Sequence, residues 1–110
     1  MRAYLIDEIS HPDMEKIRAF LTCNAIKSGM DGVFWVRVPV DLLSEAQHQH
    51  EACQPHVFAV ELGTGFVRLE LFIRSLPSMR CTCPALCTSA QRDFVIRFAD
   101  GMMDQLNVRS

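Results

Sequence analysis

The chain lacks the short motifs that most directly name a reaction. It contains no G-x-x-x-x-G-K-[ST] loop, G-x-G-x-x-G fingerprint, G-x-S-x-G elbow or H-E-x-x-H helix. The readiest routes to phosphate, dinucleotide, acyl-transfer and metalloprotease chemistry are therefore missing, and nothing in the sequence assigns an enzyme. Gly63-Thr64-Gly65 offers two glycines, but no helix is expected after it, so it reads as a hairpin turn and not a phosphate cradle. No C-x-x-C pair is present, so neither a zinc ribbon nor a thioredoxin-type redox motif is spelled out.

Long apolar runs are absent too, which excludes a helical bilayer span. Residues Met1–Glu8 carry no apolar core or small-residue cleavage site of the kind a signal peptide needs. The expectation is a cytoplasmic protein with reduced thiols. Five cysteines, an odd number, then read as free thiols or metal ligands before they read as a disulfide framework.

Excess charge is the third absence. A net charge of -2 gives no bulk attraction to nucleic acid or to acidic membranes. The charge is uneven, however. Residues 1–65 hold five Lys/Arg against nine Asp/Glu, whereas residues 66–110 hold six against four, and all six are arginine. The structural explanation of those arginines is a solvated surface, and the functional one is carboxylate or phosphate recognition by a planar fork.

What is present describes one α+β domain over residues 1–110, large enough to bury a core without disulfides. Ala3–Ile6 is a short strand. Ser10 or His11 caps a first helix with Pro12 in its first turn. Its buried face holds Met14, Ile17, Phe20 or Leu21, and Ala25, and Lys27-Ser28-Gly29 ends it. Val33–Val38 is a strand closed by Pro39. Asp41 caps a second helix to about Cys53, with Leu42, Leu43, Ala46, His50 and Cys53 on one stripe.

His56–Leu62 and Phe66–Arg74 form a hairpin. Side-chain parity requires Phe58, Val60 and Leu62 to share a face with Val67, Leu69, Leu71 and Ile73. A four-residue loop does this and sets Glu61 opposite Arg68. Thr88 caps the last helix, with Gln91 completing a capping box. Phe94, Val95, Phe98, Ala99, Met102 and Leu106 form its stripe, which Ile96 and Met103 widen. The tail 107–110 is expected to fray. The order is β-α-β-α-β-β-α around a single mixed sheet of about four strands, with three helices.

The second face of that sheet carries Val33, Trp35, Val57, Ala59, Phe66 and Phe72 among its charges, more apolar area than water normally meets. A homodimer interface built from Trp35, Phe66, Phe72 and Met103 would cover it. Trp35, Arg37, Phe66, Arg68, Phe72 and Arg74 would also suit base stacking. Glu61 and Glu70 on the same face count against that, and core packing or a subunit interface accounts for the same residues.

The chemistry concentrates in Arg80-Cys81-Thr82-Cys83-Pro84-Ala85-Leu86-Cys87. Three thiols in seven residues could hold zinc or an iron–sulfur cluster, with a further ligand from the stretch 48–56. There His50 and Cys53 stand three apart, and His48 and His56 flank them. The alternative is packing, since free cysteine is among the most buried residue types; Cys23 and Cys53 fit that description. A further reading makes Cys87 a redox thiol, its pKa lowered by the start of the last helix and by Arg80 or Arg92. The leading expectation is a homodimeric, non-enzymatic interaction module. Metal binding through Cys81, Cys83 and Cys87 is the alternative, and a thiol switch at Cys87 the third.

Overall fold

The computed structural model describes residues 2–78 and 80–109. Strands β1 (Ala3–Ile6), β2 (Ile26–Lys27), β3 (Val33–Arg37), β4 (His56–Leu62), β5 (Val67–Glu70), β6 (Phe72–Ser75) and β7 (Ala85–Leu86) alternate with helices α1 (His11–Asn24), α2 (Glu45–Gln49) and α3 (Ser89–Gln105). Short 3-10 turns at Val40–Leu42 and Glu51–Cys53 flank α2. Among the described residues the fold is α+β with three helices, as the sequence suggested, but the sheet has seven strands instead of about four. Every pairing among the described residues is antiparallel, so the sheet is not mixed.

The extra strands have local causes. Ile26 and Lys27 lie beyond the end of α1, because Ala25 is extended and Ile26 pairs with Trp35. The strand expected over Phe66–Arg74 is split. β4 pairs with β5 as far as Val60↔Leu69 and with β6 from Val57↔Arg74 onward. Two residues of β4 therefore face four of its partner strand, a bulge of two at Leu71, whose N–H bonds Arg2 and whose carbonyl bonds Cys87. An even insertion preserves parity. Leu69 and Ile73 both stay fully buried on the core face, and Glu61 stands opposite Arg68 as the hairpin register required.

Helices α1 and α3 share the core face. Phe58 of β4 meets Phe94 and Phe98 edge-on, and Phe98 meets Phe20 of α1. Ile17, Leu21, Val95 and Ala99 complete that layer with no exposed surface.

The continuous helix expected from Asp41 to Cys53 does not form. Leu43 is extended, Ser44 and Gln47 build a capping box that starts a fresh helix, and His50 leaves helical geometry after little more than one turn. Ala46, expected on the buried stripe, is exposed.

The tail also differs. Asn107 takes a positive φ of 55°. Val108 N–H then bonds Met103 O, and Asn107 N–H bonds Asp104 O, the paired bonds of a Schellman cap. This seats Val108 in the core beside Met103. The tail is thus docked through Val108, while Ser110 lies outside the described residues. Met103, expected at an interface, is 7% exposed and belongs to this chain's own core.

Candidate metal centre

Two chain segments meet at the start of β4. The first is the broken turn of residues 50–56. His50 closes α2, Cys53 ends the following 3-10 turn, and His56 opens β4. The second is the loop between β6 and β7, which carries Cys81 and Cys83. The donor atoms of His50, Cys53, Cys81 and Cys83 all lie within 4.8 Å of one another. Four ligands sharing one tetrahedral zinc ion stand roughly 3.5–3.8 Å apart, so the group is already on the right scale. His50 Nδ1 and Cys81 Sγ, 2.9 Å apart, would separate by about half an ångström on loading.

The breaks that spoiled the expected helix build the site. A straight helix would carry the chain away at Gln49, whereas the turn at His50 and the 3-10 segment swing Cys53 inward, where it is buried. The second segment is tied by backbone and side-chain bonds. Gln47 Nε2 donates to Cys83 O at 3.3 Å. Ser75 Oγ donates to Cys53 O at 2.6 Å and accepts from Ser78 N–H at 3.2 Å. Leu76 N–H bonds Pro55 O. Such bonds orient a ligand through its backbone before any ion arrives.

The electrostatics favour a cation. Cys83 is 3% exposed, and burial, reinforced by the neighbouring thiols of Cys81 and Cys53, pushes its pKa up to about 12. Cys81 is half-exposed and its thiol falls to about 6, chiefly because the Cys83 backbone N–H donates to its sulfur. The Cys53 and Cys83 thiols and His50 assist. One thiolate is thus ready-made and a second is withheld by burial. A divalent ion between them removes that penalty, since thiolate is the metal-binding form.

Of the five candidate ligands read from the sequence, the structure gathers four. Cys87 stands apart, at the end of β7, half-buried against the core with its N–H bonded to Leu71 O. Its pKa rises to about 11 through burial, which Arg92 only partly offsets. That is opposite to the lowering expected at a helix start. Cys23, taken as a packing residue, is exposed, as is His48.

Three further residues support the site, and sequence reasoning named only His56 among them, as a flank of the candidate ligands. His56 is 1% exposed, with Nε2 3.4 Å from Cys83 Sγ. Ser75 sits opposite it in the register. Gln47 could have been found, because Ser44-Glu45-Ala46-Gln47 repeats the capping-box pattern recognised at Thr88-Ser89-Ala90-Gln91.

The second sheet face is open at its centre. A concavity of about 540 Å³ is lined there by Val33, Trp35, Ala59 and Met30, with Glu61–Arg68 and Glu70–Arg74 ion pairs across it. Trp35, Phe66 and Phe72 are each half-buried, and Arg74 lies over the Phe72 ring. Pairing cancels the basic character that a nucleic-acid surface requires. Among the described residues no helix is long and apolar enough to cross a membrane. No family model, curated protein or solved structure matches this chain.

Proposed function

We propose that the chain holds one zinc ion through His50, Cys53, Cys81 and Cys83, and that the ion staples the loop after β6 to the turn before β4. The observation that carries the reading is convergence. Two segments separated by some thirty residues bring four donors within 4.8 Å, two of them buried. Zinc accepts a Cys3His set tetrahedrally. Four protein ligands leave no open position for water, which suits a structural ion and not a catalytic one.

An iron–sulfur cluster suits the spacing less. Its thiolates attach to different irons and so stand wider than ligands sharing one ion. On this reading the protein is a non-enzymatic interaction module with a metal-fastened loop. Elemental analysis of untagged protein tests it. One zinc per chain is expected, and protein free of transition metal after growth in zinc-replete medium overturns it.

Self-association through the open sheet face is a second reading. It is favoured by Met30, 62% exposed in the concavity with the half-buried Trp35, and by Leu5, 53% exposed on the edge strand β1 opposite Arg68. A twofold pairing would remove this apolar surface from water.

A further inference from the structure

His56 is 1% exposed next to the thiol group, yet it is not one of the four mutually close donors. Its Nε2 lies 3.4 Å from Cys83 Sγ. Its Nδ1 is buried with no hydrogen-bond partner. Its backbone is fixed on both sides. The carbonyl accepts from Val38 N–H, and the residue pairs with Ser75 across the β4–β6 ladder. The ring is therefore aimed at one sulfur from a rigid strand.

With Cys83 a thiolate, as it must be to hold an ion, these contacts choose the tautomer. A proton on Nδ1 would leave a buried donor with no acceptor and turn the Nε2 lone pair toward the lone pairs of sulfur. A proton on both nitrogens would strand the same donor and add a buried charge. A proton on Nε2 alone gives sulfur its donor and leaves only an acceptor unpaired, the least costly arrangement of the three.

Three thiolates and a neutral imidazole around a divalent ion carry a net negative charge, most of it out of water. Among the described residues, His56 is the only side chain outside the four-donor group that hydrogen-bonds one of its sulfurs. We infer that His56 is a positioning residue of the metal centre, donating Nε2–H to the Cys83 thiolate to orient it and disperse its charge. The inference rests on the zinc reading above. Partners of this kind typically contribute ten- to hundredfold in metal affinity.

The test measures zinc affinity by chelator competition for the parent, His56→Phe and His56→Gln. Cobalt(II)-substituted spectra of the same three proteins accompany it. His56→Phe should bind zinc ~10–100-fold more weakly, with the sulfur-to-cobalt charge-transfer band displaced. His56→Gln, which keeps an N–H, should recover part of both. General loosening of the fold would weaken binding without moving the band or being rescued by Gln.

Folded His56→Phe with parental affinity and an unchanged cobalt spectrum overturns the inference while leaving the zinc reading intact. Failure of the parent to bind zinc removes both. Should His56→Phe not fold, imidazole nitrogen NMR of the zinc-loaded parent decides the matter. A proton on Nε2 alone supports the inference, and a proton on Nδ1 overturns it.

Discussion

The side-chain amide of Gln91 donates to the amide oxygen of Gln47 at 2.9 Å, with both residues 1% exposed. Each is the third residue of a capping box, Gln47 beneath Ser44 and Gln91 beneath Thr88. The same two amides reach further. Gln91 Nε2 also donates to Leu42 O, and Gln47 Nε2 to Cys83 O. One buried chain of hydrogen bonds thus runs from the start of α3, through α2, to the loop that carries two of the four candidate ligands.

Breaking that chain should cost more than either cap alone. Gln47→Met and Gln91→Met are each expected to destabilise by about 1–3 kcal/mol, because partners are left buried and unpaired. The double variant should lose less than the sum, with a coupling of about 0.5–3 kcal/mol. Chemical denaturation of the four proteins gives the cycle. Strict additivity would mean the amides act independently.

Ligand substitution should separate three cysteines and one histidine from the rest. Cys53→Ser, Cys81→Ser, Cys83→Ser and His50→Ala should each lose stoichiometric zinc and melt at lower temperature. Cys87→Ser and Cys23→Ser should keep the metal. A chelator should lower the parent's melting temperature, since a site held at a thousandfold over its dissociation constant contributes about 4 kcal/mol. The same chelator should leave Cys83→Ser unmoved.

In metal-free protein, Cys81 should alkylate ahead of Cys83 and Cys87, with its rate rising through about pH 6, because its thiol is lowered while theirs are raised. Mass spectrometry after brief iodoacetamide treatment reads this, and zinc should protect Cys81. Stability follows with the matching sign. The lowered Cys81 pKa gives stability that is full above the ordinary value of 9.0 and is lost as pH falls toward 6. The raised Cys83 pKa gives stability that is full below 9.0 and is lost as pH climbs toward 12. The contribution of these two thiols to the stability of metal-free protein should therefore peak near pH 9, and the difference in denaturation midpoint between the parent and a Cys81→Ser, Cys83→Ser double variant at pH 6, 9 and 11 should show it.

Light scattering addresses the open sheet face. A dimer is expected from the parent and a monomer from Trp35→Glu, which places a charge among Val33, Ala59 and Met30 in the concavity. A parent that stays monomeric at high concentration would rule out self-association through this face.

Local signals carried far along this chain. Ser10 and Thr88 cap α1 and α3 as their side chains required, and alternation in β4 and β5 set the register that pairs Glu61 with Arg68. These features depend on neighbours within a few residues, so periodicity and capping chemistry suffice to read them. The two-residue bulge at Leu71 escaped notice because even insertions leave the alternation intact. The break at His50 escaped because Leu42, Leu43, His50 and Cys53 fit a helical stripe that the backbone does not follow.

The amino-acid order alone determined the α+β class, the three helices, the hairpin register and the presence of too many thiols in one loop. Which thiols meet was settled by folding. Cys87 and Cys81 look equivalent in the sequence, but β7 pairs with β6 and carries Cys87 toward the core, whereas the turn at His50 and the bond from Gln47 bring Cys53 to Cys83. Spacing along a chain limits which residues can meet only when they are neighbours. Across some thirty residues, the strand pairing and the buried hydrogen bonds make the choice.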